Sequence, residues 1–583
     1  MSELEQEEEF SFKRYFVPLT TLKAIHWIVI IGLIIFCNGL FNGFVGDDLP
    51  QITQNPTVQS FSNLPYFFLG STFYNIGPQH LGGVYYKPLL DTFFSLIYLL
   101  FNGSAFPFHL FQILFYIVNV CLLFFVLKYF FKLQIAFILC LIFLVHPINS
   151  EVAFYISDMQ DVLFFFFGII AFWIVQRSQS RKALITASLC LFCSLLSKET
   201  GILFLITALL YVFMFHRKRF YLLLWYSLIL GGVYSLLRVH AIGIFNSPSS
   251  SPIDILSLPQ RIITIPEIFS FYIKTFLFPL NLSFFHQWAY KEITFDRFFL
   301  PMIVDLLFVV LLSIFALMLY KKHPIKFFKI YIFFLISFFA GIVLHLQIIP
   351  LDVTVAERWF YFPMIGLLGM MGILLEIVHI RLNNKLVFTS LALVVILLSI
   401  RTIIRSSDWR DEYTLVSHDI QVSKNDYSLE NGLAGELIAR GQFKEAKIHA
   451  KRSVDLFPTW SNYNNLGVID MNLGEYKEAQ GAFSNGLKIS EYYLLYENLA
   501  ALSLITGDPK KNIPFVEAII KKYPYDGKLW LYLALLEYNS DNKKAAQIAI
   551  NKAYFYDHST EVQTNYYLIM NNQPLNFTFT RHK

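Results

Sequence analysis

Two adjacent carboxylates, Asp47 and Asp48, follow the first long apolar segment of the chain. The stretch reads Gly46-Asp47-Asp48-Leu49-Pro50-Gln51-Ile52-Thr53-Gln54-Asn55-Pro56-Thr57-Val58. An acidic pair at a membrane exit adds nothing to burial in lipid. It does suit proton abstraction, because a carboxylate within reach of a hydroxyl can take its proton as the oxygen attacks. The plainer reading is a helix cap, a position that Asp favours. Pro50 disfavours a helical conformation at Leu49, so extended backbone is expected just after the pair, with either carboxyl free to point into a site.

Other ionisable groups recur where apolar runs break. They sit in Tyr85-Tyr86-Lys87-Pro88-Leu89-Leu90 and in His146-Pro147-Ile148-Asn149-Ser150-Glu151, followed by Asp158 and Asp161. They return in Leu196-Ser197-Lys198-Glu199-Thr200-Gly201, in Arg238 with His240, and in Ala356-Glu357-Arg358-Trp359-Phe360-Tyr361-Phe362-Pro363. Charges at helix ends in a membrane pair with one another or mark a substrate path. Singly, each has a structural reading: Lys198-Glu199 a self-satisfied turn, Glu357-Arg358 a packing pair, His146 a helix-end histidine, Asp158 a solvated loop. Collected on one face, they fit hexose transfer from a polyprenyl-phosphate sugar. The lipid tail needs membrane helices with a lateral groove. The phosphate needs cations, for which Lys87, Lys198 and Arg358 are the candidates. The acceptor hydroxyl needs a base, Asp47 or Asp48. A phosphate leaves without help, so no second acid is needed, unlike glycoside hydrolysis with its two flanking carboxylates.

The elements that must hold these groups are membrane helices. Of 583 residues, 56% are hydrophobic and only 15% charged, with 62 Phe and 33 Tyr. The mean hydropathy is +0.53. Soluble domains carry about 25% charged residues, so this is a polytopic membrane protein. The net charge of +5 resides in short loops between apolar runs, a pattern of membrane orientation and not of nucleic-acid binding. Cys37, Cys121, Cys140, Cys190 and Cys193 all lie in apolar segments, so neither a disulfide framework nor a zinc site is expected. An acidic start (Glu3, Glu5, Glu7, Glu8, Glu9) precedes Lys13, Arg14 and Lys23, and no small-residue cleavage site follows. This predicts an uncleaved first helix with a cytoplasmic N-terminus.

Apolar runs cover roughly 24–45, 107–127, 133–147, 160–176, 183–197, 201–216, 219–238, 299–320, 329–347, 356–379 and 385–404, with 88–102 and 264–280 ambiguous. The expectation is an all-α bundle of about 11–13 membrane segments, the shorter ones borrowing length from their flanks. Lys128/Lys132, Arg177/Arg181/Lys182, Arg217/Lys218/Arg219, Lys321/Lys322/Lys326/Lys329 and Arg381/Lys385 should be cytoplasmic. That holds if 88–102 and 264–280 do not cross, and it puts Asp47 and Asp48 outside, with the C-terminal region. Domain one is expected over 1–407 and domain two over 408–583. The second repeats: Gly441-Gln-Phe-Lys-Glu-Ala446 returns as Gly474-Glu-Tyr-Lys-Glu-Ala479, and Gly507-Asp-Pro-Lys-Lys follows at the same offset of 33. Asn465-Leu466-Gly467 returns as Asn498-Leu499-Ala500. This is close to the tetratricopeptide period of about 34. Three to four helix pairs would stack as a solenoid.

Several short motifs in order resemble the transmembrane and tetratricopeptide-repeat O-mannosyltransferases, within the membrane-embedded GT-C glycosyltransferases. Asp47-Asp48-x-x-x-Ile52-x-x-Asn55-Pro56-x-Val58 is similar to that family's first-loop signature. Tyr86-Lys87-Pro88-Leu89 resembles its Tyr-Arg-Pro-Leu step, with Lys for Arg. His146-Pro147, Glu151 and Asp161 resemble its His-Pro…Glu…Asp spacing, with Asn149 replacing a second His. Leu196 to Ile202 resembles Leu-Ser-Lys-Glu-Gln-Gly-Ile, with Thr200 for Gln. Ala356-Glu357-Arg358 through Tyr361 and Pro363 is similar to its Ala-Glu-Arg…Tyr-x-Pro run. Tyr272, Pro279, Leu282 and Ser283 also follow the family, whereas His286 stands where an acidic residue is usual. The resemblance implies a dolichyl- or polyprenyl-phosphate hexose donor, with mannose as the hexose, and Ser or Thr hydroxyls of exported proteins as acceptors, held by the repeats. It implies Asp47 as the base, with Lys87, His146, Glu151, Asp161, Lys198, Glu199, Glu357 and Arg358 around donor and substrate. It implies no cofactor, and a divalent ion on Asp47 and Asp48 is the unexpected alternative. Two other functions compete. One is an assembly factor, with the repeats anchored by an inactive membrane module. The other is a transporter, disfavoured because the membrane half shows no internal duplication.

Overall fold

The protein is described by a computed structural model over residues 19–73, 85–244, 251–378, 385–506 and 509–575. The N-terminal acidic run, Lys13, Arg14, Arg381 and the Gly507-Asp508 turn lie outside the described residues. The described elements are all helical. They group into two compact units that divide between Leu415 and Val416, a few residues past the expected 407. The chain past the last apolar helix stays packed into the first unit. The Gly43 amide donates to the Arg410 carbonyl at 2.8 Å. Trp409 is buried with its ring 5.2 Å from Phe284 and 5.7 Å from Tyr155.

The first unit is a multi-pass membrane bundle. Among the described residues, seven of its helices are long and apolar enough to cross a membrane, or eight if the bent pair Leu133–Val145 and Pro147–Phe154 is one span. Four other apolar runs form helices of 14 to 17 residues, at Pro88–Phe101, Arg181–Ser197, Ile202–Phe215 and Pro363–Ile377. At 1.5 Å per residue these reach only about 21–26 Å, short of a hydrocarbon core of about 30 Å. Position in the bundle follows sequence. Ile156–Arg177 is 72% buried and forms its centre, whereas Phe295–Lys322 is 6% buried and presents Leu, Ile and Val outward, as lipid requires. Gly366 lets Pro363–Ile377 lie against Ile325–Val343, because a Cβ there would stand 2.7 Å from the Phe334 carbonyl.

The helix ends sort by charge. Lys128, Lys132, Arg177, Arg181, Lys182 and Arg217–Arg219 lie at one end, where Lys132 pairs with Glu376 at 3.5 Å and Lys128 bonds Thr21 at the start of the first helix. The turns carrying Asp47, Glu151, Asp161, Lys198 and Arg358 lie at the other. The Pro88–Phe101 helix starts at Lys87 and ends beside Thr53, so both its ends sit at this second end. Leu258–Leu277 does likewise. Arg261 near its start bonds the Gln347 carbonyl, and the Phe276 carbonyl near its end bonds His146.

The second unit stacks helix pairs, each burying its neighbour's apolar face. They are Tyr427–Ala439 with Phe443–Leu456, Trp460–Leu473 with Tyr476–Ile489, Tyr493–Ile505 with Pro509–Lys522, and Gly527–Asn539 with Lys543–Tyr556; Thr560–Met570 follows. Ala446, Ala479 and Ala546 are fully buried where helices cross. Gly441 and Gly474 turn the first two pairs at φ +72° and +79°. Nothing crowds a Cβ at either glycine, so the left-handed backbone is what calls for Gly.

Candidate active site

Gly46 begins the site. Its φ of +53° turns the chain sharply after the first span, and a Cβ there would stand 3.1 Å from the Tyr155 hydroxyl. The two carboxylates that follow fall in different surroundings. Asp48 is 0% exposed. It accepts hydrogen bonds from the Val45 amide at 3.0 Å, the Ser157 amide at 2.7 Å and the Ser157 hydroxyl at 2.6 Å. Burial nonetheless pushes its carboxyl up to about 7, with those donors opposing the rise. Asp47 is the exposed member. Its amide donates to Tyr155 Oη at 3.0 Å. Loss of surrounding water raises its carboxyl above the ordinary range, Lys87 and Arg358 pull it back, and Asp352 adds to the rise. The backbone past the pair is not extended as expected. Leu49–Thr53 forms a π-helical turn with Pro50 in its first positions, where the missing N–H costs nothing.

The cations also divide. Lys198 Nζ lies 2.8 and 2.6 Å from the two oxygens of Asp161. Arg358 bonds Glu151 through its guanidinium and, at 2.9 Å, through its amide; its Nε is 3.5 Å from Asp158. These groups are buried, and a buried charge is strongly destabilising unless paired. Lys87 differs. It is 6% exposed, its amide donates to Thr72 at 3.0 Å, and its Nζ lies over the Tyr85 ring at 4.1 Å. Among the described residues no carboxylate pairs with that ammonium. Burial lowers its affinity for a proton, and Glu199 is the strongest opposing influence.

Asp161, Lys198, Thr200, His345, Arg358 and Trp359 line a small recess that opens to the surface. Three other predicted residues stand apart from it. His146 donates from Nε2 to the Phe276 carbonyl at 2.9 Å, accepts from the Ile148 amide, and stacks on Phe276. It braces the 54° bend at Pro147 that turns Glu151 into the bundle. Glu357 accepts from the Ser283 amide at 2.8 Å and ties down the loop that includes His286. Glu199 pairs with Arg238 at 3.8 Å, both side chains partly exposed. Sequence reasoning missed Tyr155, Ser157, His345 and Asp352. Tyr155 and Ser157 lie in the same segment as Asp158, but nothing in their type marked them. Asp352, bonded to the Tyr85 hydroxyl at 2.6 Å, is an isolated acid in a loop. Among the described residues no group of three or more His, Cys, Asp and Glu is arranged to hold a metal ion.

A family model described as dolichyl-phosphate-mannose-protein mannosyltransferase matches residues 87–242. That stretch runs from Lys87 through Glu151, Asp161, Lys198 and Glu199 to Arg238. "Protein O-mannosyl-transferase F38B6.6" of Caenorhabditis elegans is 24% identical over 445 residues, which are 74% of this chain and 62% of that protein. "Protein O-mannosyl-transferase TMTC3" of Homo sapiens is 24% identical over 516 residues, 79% of this chain and 54% of its own. "Protein O-mannosyl-transferase TMTC1" of Homo sapiens is 25% identical over 503 residues, 74% and 55%. The chain thus spans between 54% and 62% of the length of these relatives. A solved structure, "YrrB: a TPR protein with an unusual peptide-binding site", covers 34% of this chain and 95% of its own at 12% identity and a TM-score of 0.23, too low to carry an argument. Over most of its length the chain is similar to the transmembrane and tetratricopeptide-repeat O-mannosyltransferases, the family that its motifs resemble.

Proposed function

We propose that this protein is a membrane glycosyltransferase. It moves a mannosyl group from a polyprenyl- or dolichyl-phosphate carrier to a Ser or Thr hydroxyl of an exported protein. One observation carries the reading: Asp47 is open while Asp48 is saturated, and a buried cation with no carboxylate partner among the described residues, Lys87, couples electrostatically to Asp47. The acceptor oxygen attacks C1 of the sugar as Asp47 takes its proton. The bond from C1 to the phosphate oxygen breaks, and the carrier leaves as its phosphate, so the configuration at C1 inverts. Lys87 faces the phosphate charge. Lys198 and Arg358, already engaged by Asp161, Glu151 and Asp158, shape the site more than they add charge to it. Asp48 holds the loop against Ser157, which keeps Asp47 aimed.

The reaction takes place on the non-cytoplasmic face. The support is the sorting of helix ends, with lysines and arginines collected opposite the carboxylates. The repeats dock the acceptor protein. No metal takes part, so a chelator should leave transfer unchanged. The test is transfer of radiolabelled mannose from a polyprenyl-phosphate donor in membranes carrying wild type, Asp47→Asn or Asp48→Asn. Transfer lost in Asp47→Asn at equal protein level supports the reading. Equal transfer in all three, or none in wild type with any hexose, supports the anchored assembly factor instead.

A further inference from the structure

His345 follows the Ile325–Val343 helix, is 5% exposed, and plays no part in the reaction as written above. Its Nδ1 lies 2.9 Å from the Gly341 carbonyl. A carbonyl can only accept, so Nδ1 carries the proton and Nε2 keeps a lone pair. The ring is stacked on Trp359, with centroids 4.9 Å apart and planes at 18°, which fixes its orientation. Lys198 and Arg358 share the recess with it. Together with burial, they hold its pKa down to about 3, so the ring stays neutral. Nε2 has no hydrogen-bond partner among the described residues.

In this recess both cations are already engaged by carboxylates, Lys198 by Asp161 and Arg358 by Glu151 and Asp158, and the His345 Nε2 is a fixed neutral acceptor beside them. Phosphate oxygens only accept, so an unprotonated Nε2 offers them nothing. A hydroxyl can donate to it. We propose that His345 is a specificity-determining residue whose Nε2 accepts a hydrogen bond from a hydroxyl of the transferred hexose. This rests on the donor class proposed above. It places the sugar, not the phosphate, against the His345–Trp359 pair.

The test is binding to the full-length protein in lipid nanodiscs, which needs no turnover. The probes are polyprenyl-phosphate mannose, bare polyprenyl phosphate, and a set of monodeoxy-mannosyl lipids. Wild type should prefer the mannosyl lipid over the bare one by about tenfold, and one deoxy lipid should lose about that factor. His345→Phe keeps a stacking ring without the acceptor; it should bring both ratios near one while still binding the bare lipid. His345→Gln restores an acceptor oxygen and should recover part of the preference. Unchanged ratios in His345→Phe, or no preference in wild type, would overturn the proposal. Preference without any transfer would sink the transferase reading but leave His345 its role. Transfer with ratios insensitive to position 345 would do the reverse.

Discussion

The membrane unit and the repeat unit both bury charge, but they close their accounts differently. In the repeats, Glu430 takes His449 at 2.7 Å and Arg452 at 2.7 Å, and Lys447 takes Asp470 at 2.8 Å as well as Glu475. Each set bridges neighbouring helices, and these charges are matched locally. In the membrane unit the pairing is incomplete. Lys198 and Arg358 are engaged, yet among the described residues Lys87 has no carboxylate partner, and Asp47 keeps an open face. A matched buried charge reads as architecture. An unmatched one, held at that cost, reads as a place where a ligand supplies the missing partner.

Four measurements would break or sharpen that contrast. The largest effect belongs to Asp47. Asp47→Asn should lower the transfer rate by about 10²–10⁴-fold, the span of one general base, with an unchanged melting temperature. Asp48→Asn should instead lower thermal stability, since three hydrogen bonds converge on that carboxylate. If the two variants behave alike, the contrast within the pair fails. Next is Glu151→Ala, which removes the main partner of the Arg358 guanidinium and leaves it only Asp158 at 3.5 Å. Unfolding of the purified full chain should show a loss of about 3–5 kcal/mol. The same unfolding assay on Glu430→Ala should show less, because His449 and Arg452 reach water more readily than Arg358 does.

Lys87→Met tests the unmatched cation. Its donor KM should rise about tenfold or more, from loss of one charge-assisted contact to phosphate, while stability holds or improves. A fall in stability with unchanged KM would make Lys87 structural. The smallest effect is in the repeats. Burial, with Asp526 nearby, pushes Glu497 up to about 8. Between an unfolded value near 4 and that folded value, the native state binds the extra proton. Stability of this unit should therefore fall as pH rises from about 4 to about 8. Glu497→Gln should flatten that slope, and a slope that survives the change assigns it to another group.

Much of this was legible in the chain because backbone demands and burial costs leave residue types behind. Gly46, Gly441 and Gly474 mark left-handed turns. The paired charges stood out against Phe, Leu and Ile. Other parts were silent for physical reasons. The fourth repeat turn uses Asp541 at φ +65°, since Asp tolerates that region, so the glycine signal is missing there. His146 looked like a site residue but spends both ring nitrogens on backbone; a histidine beside proline reads the same in either role. His345 was invisible because its significance comes from Gly341 and Trp359, which fix its tautomer and tilt only once the helices pack. The expectation of extended backbone at Leu49 failed: Leu49 opens a helical turn despite the proline after it, and Pro50, in the first positions of that turn, has no intrahelical N–H to lose.

The carboxylates around Lys198 and Arg358 have a bearing on turnover. On the proposed reaction, both donor and spent carrier bear an anionic phosphate. A site with three free cations would grip the product harder than the substrate, since the leaving oxygen gains charge. Asp161, Glu151 and Asp158 offset two of those cations in advance. The grip on the departing lipid then falls mainly to one lysine, whose burial already weakens its hold on a proton. On that reaction, departure of the used carrier into the bilayer, and with it resistance to product inhibition, is tuned by three acids that neutralise cations instead of taking the acceptor's proton.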